Sequence, residues 1–268
     1  MTLTLAQIQL YLLAFTRIMA ILAQVPVLAG RLVPNQVKIG LGLILTIVLP
    51  PLAMPKMFPL PIDTPALSVP GLAVAIAQEL IIGLVAGYAA TLTFGILTMA
   101  GEFMSTAGGF SAGRTFNPTF GGTGTSFDQL FLVTGILIFL AVNAHHLVLL
   151  AVEQTFVAAP LNTSLTQLGL MASGQPLQGA ERLMSLTLQL VVSGTLIALP
   201  VMGVSLLTDL TLGLLARVAP QVQVFFLGMP LKIGLSLVVL AIVLQFVEPT
   251  LRDLLNAIGP RMLYLLGA

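Results

Sequence analysis

The sequence predicts an all-α, membrane-associated protein made of about six long, kinked apolar helices. Of its 268 residues, 57% are hydrophobic and 7% are charged, whereas soluble domains carry about 25% charged residues. The mean hydropathy is +1.08. The apolar residues also form runs long enough for helical spans, which need about 20 residues each. A bilayer, or a very apolar assembly, is therefore the expected environment.

Six apolar segments account for most of the chain. We place them at residues 3–25, 36–54, 71–105, 128–157, 181–216 and 225–257. At about 1.5 Å per residue, the fifth segment of about 36 residues reaches about 54 Å. Because the hydrocarbon core is only about 30 Å thick, this segment must tilt, kink at Pro200 or project beyond the bilayer.

Two links between the segments are unusual. Seven prolines from Pro50 to Pro70 remove amide donors and are expected to prevent a helix there. The stretch at 108–127, GGFSAGRTFNPTFGGTGTSF, has six glycines and four phenylalanines but no Leu, Ile or Val. Loops of more than about 12–15 residues are usually functional or disordered.

Irregular backbone at membrane depth is tolerated where protein buries it or where it lines a water-filled cavity. We therefore expect residues 108–127 to line or plug a passage, with a plain solvent loop as the alternative that four phenylalanines argue against. The residues assigned to this plug or pore loop are Gly108, Gly109, Phe110, Arg114, Phe116, Asn117, Pro118, Phe120, Gly121, Gly122 and Phe127.

A stripe of mostly small residues marks the third segment. Glu79, Gly83, Gly87, Thr91 and Gly95 recur every four residues. Small residues at this spacing let two helices approach closely, so we expect the stripe to be a helix-packing face. Chance spacing in a chain with 25 glycines is the alternative.

Polar residues that interrupt the apolar segments are expected to be buried. Such groups are costly in apolar surroundings and are usually paired or functional. Two interpretations stay open: pairing with one another or with neighbouring subunits, and a transport or proton-relay role. Asp209 and Lys232, on the two arms of the last hairpin, can pair across it. The residues concerned are Arg17, Asp128, His145, His146, Asp209, Lys232 and Glu248.

Signatures of enzymes and metal proteins are missing from the sequence. The chain has no cysteine, so disulfides and thiolate chemistry are excluded. His145 and His146 are adjacent, and neighbouring helical side chains point about 100° apart, so they cannot clamp one ion as an i, i+4 pair does. There is no Ser-His-Asp order, phosphate loop or HExxH motif. We expect no enzyme activity, no cofactor and no metal, and the absence of a charge run gives no sign of nucleic acid.

Positive charges do not select an orientation in the membrane. If the segments alternate, Arg31, Lys38, Arg114 and Arg217 fall on one side, and Lys56, Arg182, Arg252 and Arg261 fall on the other. Four residues against four give no inside bias.

Three long stretches resemble a known family. They are RIMAILAQVPVLAGRLVPNQVKIGLGLILTIVLPP, GEFMSTAGGFSAGRTFNPTFGGTGTSFDQLFLVTGILIFLAVNAHHLVLLAVEQTF and LLARVAPQVQVFFLGMPLKIGLSL. In these stretches, and in their spacing, the chain resembles the FliR family of flagellar biosynthetic proteins, whose type III secretion relatives include SctT. The Asn117–Pro118 step and the histidine pair are more similar to the flagellar members than to the virulence-type members.

The resemblance implies a single subunit of a flagellar type III export gate, over residues 1–268. Residues 1–180 would be the FliP-like part with the plug loop, and residues 181–268 would form a FliQ-like hairpin. The implied partners are FliP-like and FliQ-like membrane proteins in a hetero-oligomer, a FlhB-like switch protein and unfolded export substrates. The implied location is the bacterial inner membrane, at the flagellar basal body.

Three other functions remain as alternatives. A stand-alone small-solute permease would often show internal repeats around a midplane site, and no convincing repeat occurs here. The virulence-type secretion homologue is the second alternative. An intramembrane enzyme is the third, and it lacks a catalytic constellation.

Overall fold

The computed structural model describes residues 4–29, 33–53, 67–110, 126–161, 178–221 and 223–267. These residues form nine helices and no strand, which confirms the all-α class. The helices are α1 (Leu5–Leu22), α2 (Pro26–Ala29), α3 (Asn35–Ala53), α4 (Val69–Ala107), α5 (Ser126–Ala141), α6 (Ala144–Ala158), α7 (Gln178–Val218), α8 (Val224–Asn256) and α9 (Ile258–Leu266).

Four helical stretches of the described chain are long and apolar enough to cross a membrane. They are Leu5–Leu22, Val69–Ala107, Gln178–Val218 and Phe226–Leu266. Helices α5 and α6 make a fifth crossing if the two count as one broken span, and α3 is shorter than a span. The six predicted apolar segments therefore correspond to four or five crossings.

Helix α7 confirms the predicted overlong segment. It has 41 residues, or about 62 Å at 1.5 Å per residue, and Pro200 lies inside it without ending it. Helix α4 is similarly long, with 39 residues. Both exceed a hydrocarbon core of about 30 Å, so neither is explained by a simple perpendicular crossing.

The segment predicted as one helix at 128–157 is instead two helices. Asn143, which separates α5 from α6, has φ 57° and ψ 28°. Few residue types accept this left-handed conformation, and asparagine is one of those enriched in it. The run contains no proline, so its apolar pattern gave no sign of the break.

The proline-rich link is helical at both of its ends, which corrects the expectation of no helix from Pro50 to Pro70. Pro50 and Pro51 lie in α3, which ends soon after them at Ala53. Pro70 is the second residue of α4, where a missing amide costs no intrahelical hydrogen bond. Residues 54–66, with the other four prolines, lie outside the described residues.

The chain forms two compact units. The first comprises Met1–Thr93, Asn143–Thr187 and Asn256–Ala268, and the second comprises Phe94–Val142 and Leu188–Leu255. Each unit takes residues from both sides of residue 180. The division at residue 180 therefore stays a prediction from the family resemblance, and it does not coincide with these units.

In the first unit, α1 packs against the glycine stripe of α4. A methyl group added at Gly83 would lie 2.7 Å from the Cβ of Ala20 and 2.7 Å from the carbonyl oxygen of Arg17. At Gly87 it would lie 3.1 Å from the Cα of Ile21. The two backbones approach so closely that a side chain larger than hydrogen does not fit without displacement.

Two further stripe positions differ in what they contact. The hydroxyl of Thr91 donates to the carbonyl oxygen of Gln24 at 3.1 Å, so it continues the α1 contact. Gly95 does not, because a methyl group there would meet Leu190 of α7 at 3.0 Å. Each step of four residues rotates the position around the helix by about 40° beyond one full turn. Four such steps separate Glu79 from Gly95, so Gly95 no longer points toward α1.

The short helix α9 was not distinguished by the sequence analysis. It buries Ile258, Met262 and Leu265 and packs against α6. Nη1 of Arg261 donates to the hydroxyl of Thr93 at 3.0 Å, which ties α9 to α4 within the first unit. The sixth predicted segment ends at residue 257, next to the start of α9, but the nine residues of α9 are too few to be recognised as a span.

In the second unit, aromatic rings fill the space between α4 and α5. The rings of Phe94 and Phe139 meet edge to face, with centroids 5.6 Å apart, and Phe131 is completely buried. Gly194 of α7 lies beside the carbonyl oxygen of Ile96, since an added methyl would be 3.3 Å from it. Helices α4, α5 and α7 thus share this core.

We expect Gly83→Ala to destabilise the protein, because the new methyl must separate α1 from α4. Overpacking of this kind typically costs about 1–3 kcal/mol. Gly40→Ala is the matched control, since no atom lies within 4 Å of the added methyl and alanine is favoured over glycine in helices by about 0.5–1 kcal/mol. Unfolding in detergent would measure both variants, and equal stability of the two would contradict the close-packing account.

Candidate functional site

Arg17 is the centre of a buried polar cluster in the first unit. Its side chain and that of Glu79 have 0% exposure, and Nε donates to Oε2 of Glu79 at 2.6 Å. Nη1 donates to the carbonyl oxygens of Thr155 at 3.0 Å and Ala159 at 2.5 Å. A charged group inside an apolar core needs such partners, since its unpaired burial is very costly.

The guanidinium also packs on an aromatic face. Its Cζ lies 4.7 Å from the centroid of the Phe156 ring, within the range of a cation–π interaction. Nη2 of Arg17 has no hydrogen-bond partner within the described part of the chain. Arg17 of α1 thus joins Glu79 of α4 to the end of α6.

The contacts of Arg17 favour the structural interpretation over a proton relay. The carbonyls that it binds belong to the last turn of α6 and its C-cap residue. The carbonyl of Thr155 already accepts from the amide of Ala159 at 2.9 Å, whereas the carbonyl of Ala159 lies beyond the intrahelical hydrogen bonds. A cation at this end also interacts favourably with the helix dipole. Both charged side chains have 0% exposure, so the geometry shows a tie between three helices.

The histidine pair lies at the start of α6. The two ring centroids are 4.2 Å apart and the rings are tilted by 38°. His145 is half-buried, whereas His146 is exposed, which corrects the expectation of burial. No group of three His, Cys, Asp or Glu side chains suited to a metal occurs in the described ranges.

The other polar residues form two ion pairs. Lys232 donates to both carboxylate oxygens of Asp209, at 2.8 and 2.7 Å, so the pairing expected across the last hairpin is present. Glu248 pairs with Arg252 one turn further along α8. Asp209 is exposed and the other three are less than fully buried, because the chain by itself leaves much of the α7–α8 surface uncovered. The expectation of burial is therefore wrong for these pairs.

Of the plug-loop residues, the structure describes Gly108, Gly109 and Phe110, together with the backbone of Phe127 at the start of α5. Asp128 is likewise described by its backbone alone. Those outside the described residues are Arg114, Phe116, Asn117, Pro118, Phe120, Gly121 and Gly122.

Helix α4 ends in a Schellman motif, which is formed by the first three residues of the plug loop. The amide of Phe110 donates to the carbonyl of Ser105 at 3.0 Å, and the amide of Gly109 donates to that of Thr106 at 3.4 Å. Gly109 has φ +83°, the left-handed conformation that this motif requires and that glycine adopts without strain. The Gly108–Gly109 dipeptide therefore ends the helix at a defined residue.

All of the last four carbonyls of α4 have donors. The amide of Gly108 donates to Met104 at 2.8 Å, and the Schellman bonds satisfy Ser105 and Thr106. The hydroxyl of Ser205, on α7, donates to the carbonyl oxygen of Ala107. The helix end is thus complete without water, as an apolar environment demands.

Side chains of α7 and α8 surround this helix end. A methyl group added at Gly109 would lie 3.8 Å from Cδ of Lys232, and one added at Gly108 would lie 2.9 Å from the hydroxyl oxygen of Ser236. We call residues Ser105–Phe110, together with Ser205, Asp209, Lys232 and Ser236, the loop base. All of its residues belong to the second unit.

The sequence analysis missed the serines of the loop base. Ser105, Ser205 and Ser236 are single hydroxyls in long apolar runs, and nothing in their local pattern distinguishes them from other helical serines. A usable signal was present in Gly108–Gly109 after a long helical run, because glycine is strongly enriched just past a helix end. That signal locates the end of α4, although it does not identify the serine that satisfies it.

A comparison with protein families matches nearly the whole chain. The sequence model of the family described as "Bacterial export proteins, family 1" covers residues 8–258. This range includes most of α1, all of α2 to α8, the Arg17 cluster and the loop base. The match confirms the family resemblance that the three sequence stretches indicated.

Curated relatives from distant bacteria agree with this match. A protein of Pectobacterium carotovorum subsp. carotovorum is 29% identical over 91% of this chain and 87% of its own length. One of Escherichia coli (strain K12) is 26% identical over 95% and 91%, and one of Bacillus subtilis (strain 168) is 27% identical over 92% and 90%. Each of the three is named "Flagellar biosynthetic protein FliR".

We expect Arg17→Met to lower the free energy of unfolding by about 3–5 kcal/mol, the usual effect of breaking a buried ion pair. The variant removes the cationic partner of Glu79 and the donors to the α6 carbonyls. Arg252→Met is the control, because it breaks an exposed pair, which typically contributes about 0–1 kcal/mol. Denaturant unfolding of the detergent-solubilised chain would measure both, and a loss for R17M no larger than that for R252M would refute the tie.

Proposed function

The chain belongs to the bacterial export proteins, family 1, and from this premise we propose that it is one subunit of the flagellar type III protein export gate. In that gate it helps to form the channel through which unfolded flagellar proteins pass. Residues 108–127 plug the channel. The observation that carries the proposal is the family match over residues 8–258, which leaves no large part of the chain for a separate function.

The composition and the long helices support a role within an assembly. Exposed apolar side chains continue along α7 and α8, with Leu196 62% exposed, Leu214 66% exposed and Phe246 72% exposed. Such a surface needs lipid or other proteins to cover it. The partners that we propose are FliP-like and FliQ-like membrane proteins and a FlhB-like switch protein. The location is the bacterial inner membrane, at the flagellar basal body.

The plug role rests on where the loop begins and on its residues. It follows a helix whose end is fully hydrogen-bonded, so the irregular stretch begins at a defined place. Its phenylalanines supply apolar bulk, and its glycines permit close and varied backbone paths. These properties suit a stopper that fills a passage and gives way to an unfolded chain. They do not suit a catalytic loop, which would need positioned acids, bases or nucleophiles.

The relatives do not favour the alternatives of a permease or a virulence-type subunit. Those reported above all carry a flagellar name. A function as an export subunit also requires no enzyme chemistry from this chain.

Replacing residues 111–125 with a short glycine–serine linker should leave the gate assembled but make the membrane leak ions. The replacement removes the apolar bulk that fills the passage while it keeps the Schellman motif. Membrane conductance of cells that carry the assembled variant would be measured, with co-purification of partners as the check on assembly. An equal shortening of the polar link at 162–177 is the control, and it should not leak. Unchanged conductance in the assembled 111–125 variant would exclude the plug role.

A further inference from the structure

We propose that Ser205 and the Asp209–Lys232 ion pair are positioning residues for the plug. They hold the end of α4 against the hairpin of α7 and α8, and so fix the point at which the plug loop begins. This inference rests on the proposed plug role of residues 108–127, and it adds the residues that keep the loop in register with the channel.

The carbonyl of Ala107 attaches the end of α4 to another helix. Three of the last four carbonyls of α4 are satisfied by amides of the chain that directly follows, so those bonds move with the helix end. The bond from Ser205 is different, because it comes from another helix. Ser205 therefore attaches the helix end to α7.

The side chain of Lys232 lies near the end of α4. Its Cδ lies 3.8 Å from the position that a methyl group on Gly109 would take, while its ammonium is held by both oxygens of Asp209. Lysine has a flexible stem with many rotamers. The ion pair restricts this freedom, and so it keeps the stem close to the residue whose left-handed conformation ends α4.

The Asp209–Lys232 ion pair is too exposed to contribute much to stability. Asp209 is 53% exposed and Lys232 is 20% exposed, and partly exposed pairs contribute little to stability. The Glu248–Arg252 pair, with side chains 46% and 55% exposed, joins residues of one helix and is not part of the loop base. A pair that links two helices beside a helix end is therefore better explained by positioning than by stability.

Two serine hydroxyls of the loop base contribute no hydrogen bond among the described residues. Ser105 and Ser236 are buried, and their hydroxyl oxygens have no partner in the described part of the chain. Other hydroxyls in these helices, such as those of Thr93 and Thr208, donate to a carbonyl of their own helix. A buried hydroxyl without a hydrogen bond weakens the contact in which it lies. The position of the end of α4 against α7 and α8 therefore depends on Ser205 and the Asp209–Lys232 ion pair, and not on hydrogen bonds from Ser105 and Ser236.

The test uses variants that remove these attachments one at a time. Asp209→Asn, Lys232→Met and Ser205→Ala are each assembled into the gate, and membrane conductance is compared with that of the 111–125 linker variant. Conductance should rise toward that of the linker variant. It should rise more for D209N than for K232M, because D209N leaves the ammonium of Lys232, whose side chain is 20% exposed, without its counter-ion. The reversed pair D209K/K232D restores the ionic link between the two helices but removes the stem beside Gly109, so it should remain leakier than the wild type.

The control is the double variant E248Q/R252M, which removes an ion pair within α8, the helix that carries Lys232. It should keep wild-type conductance. A leak as large as that of D209N would show that loss of charge on α8, and not positioning at the loop base, opens the gate. That result would overturn the inference.

A cross-link measures position directly, even for variants that assemble poorly. The chain has no cysteine, so the pair G108C/S236C introduces the sole thiols. A methyl added at Gly108 lies 3.0 Å from the Cβ of Ser236, so the helices need to separate by about 0.5 Å to reach the distance of about 3.5–4.5 Å that a disulfide needs. Oxidation should give a high yield in the otherwise unchanged chain and a reduced yield with D209N or S205A.

The outcomes separate the two proposals. If the linker variant leaks while D209N, K232M and S205A stay tight, the plug role stands and the positioning role is wrong. If the linker variant itself stays tight, the proposed function fails and the inference fails with it. An undiminished cross-link yield in D209N and S205A also rejects the positioning role, whatever the conductance.

Discussion

The backbone carbonyls at the helix ends impose the constraint on which the rest of this structure depends. In apolar surroundings, a carbonyl without a donor is costly because no water replaces the missing bond. Two ends show how the chain meets the requirement. Arg17 donates to the end of α6, and a Schellman motif with Ser205 completes the end of α4. Each solution brings in a side chain from another helix, so satisfying a helix end also packs the helices together.

Glycine serves this fold in two different physical ways. Gly83 and Gly87 let α1 approach α4 because no side chain separates the backbones. Gly109 instead adopts a left-handed conformation that ends α4. The Arg17–Glu79 pair lies directly beside the contact at Gly83, and Gly109 is the second residue of the plug loop. One long helix thus carries a rigid packing face in one unit and a defined end in the other.

The sequence predicted most of the helices, because long apolar runs leave few other structures possible. It also predicted the pairing of Asp209 with Lys232, since the two charges lie on adjacent apolar arms. It missed the break at Asn143, where a left-handed residue interrupts an unbroken apolar pattern. It also missed Ser205 and the partners of Arg17, because these contacts join residues 62 to 142 positions apart and leave no local periodicity. Position along the helix predicted burial poorly, since exposure depends on which neighbours cover each face.

The central claim is that this chain acts as one subunit of a larger membrane assembly. The most direct measurement is native mass spectrometry of the tagged full-length chain, gently extracted in detergent from cells that express the whole flagellar export operon. The account predicts a large particle in which this chain is accompanied by several copies of two smaller membrane proteins. A lone 28.1 kDa chain, or a simple homodimer, would contradict the account and return the permease to consideration.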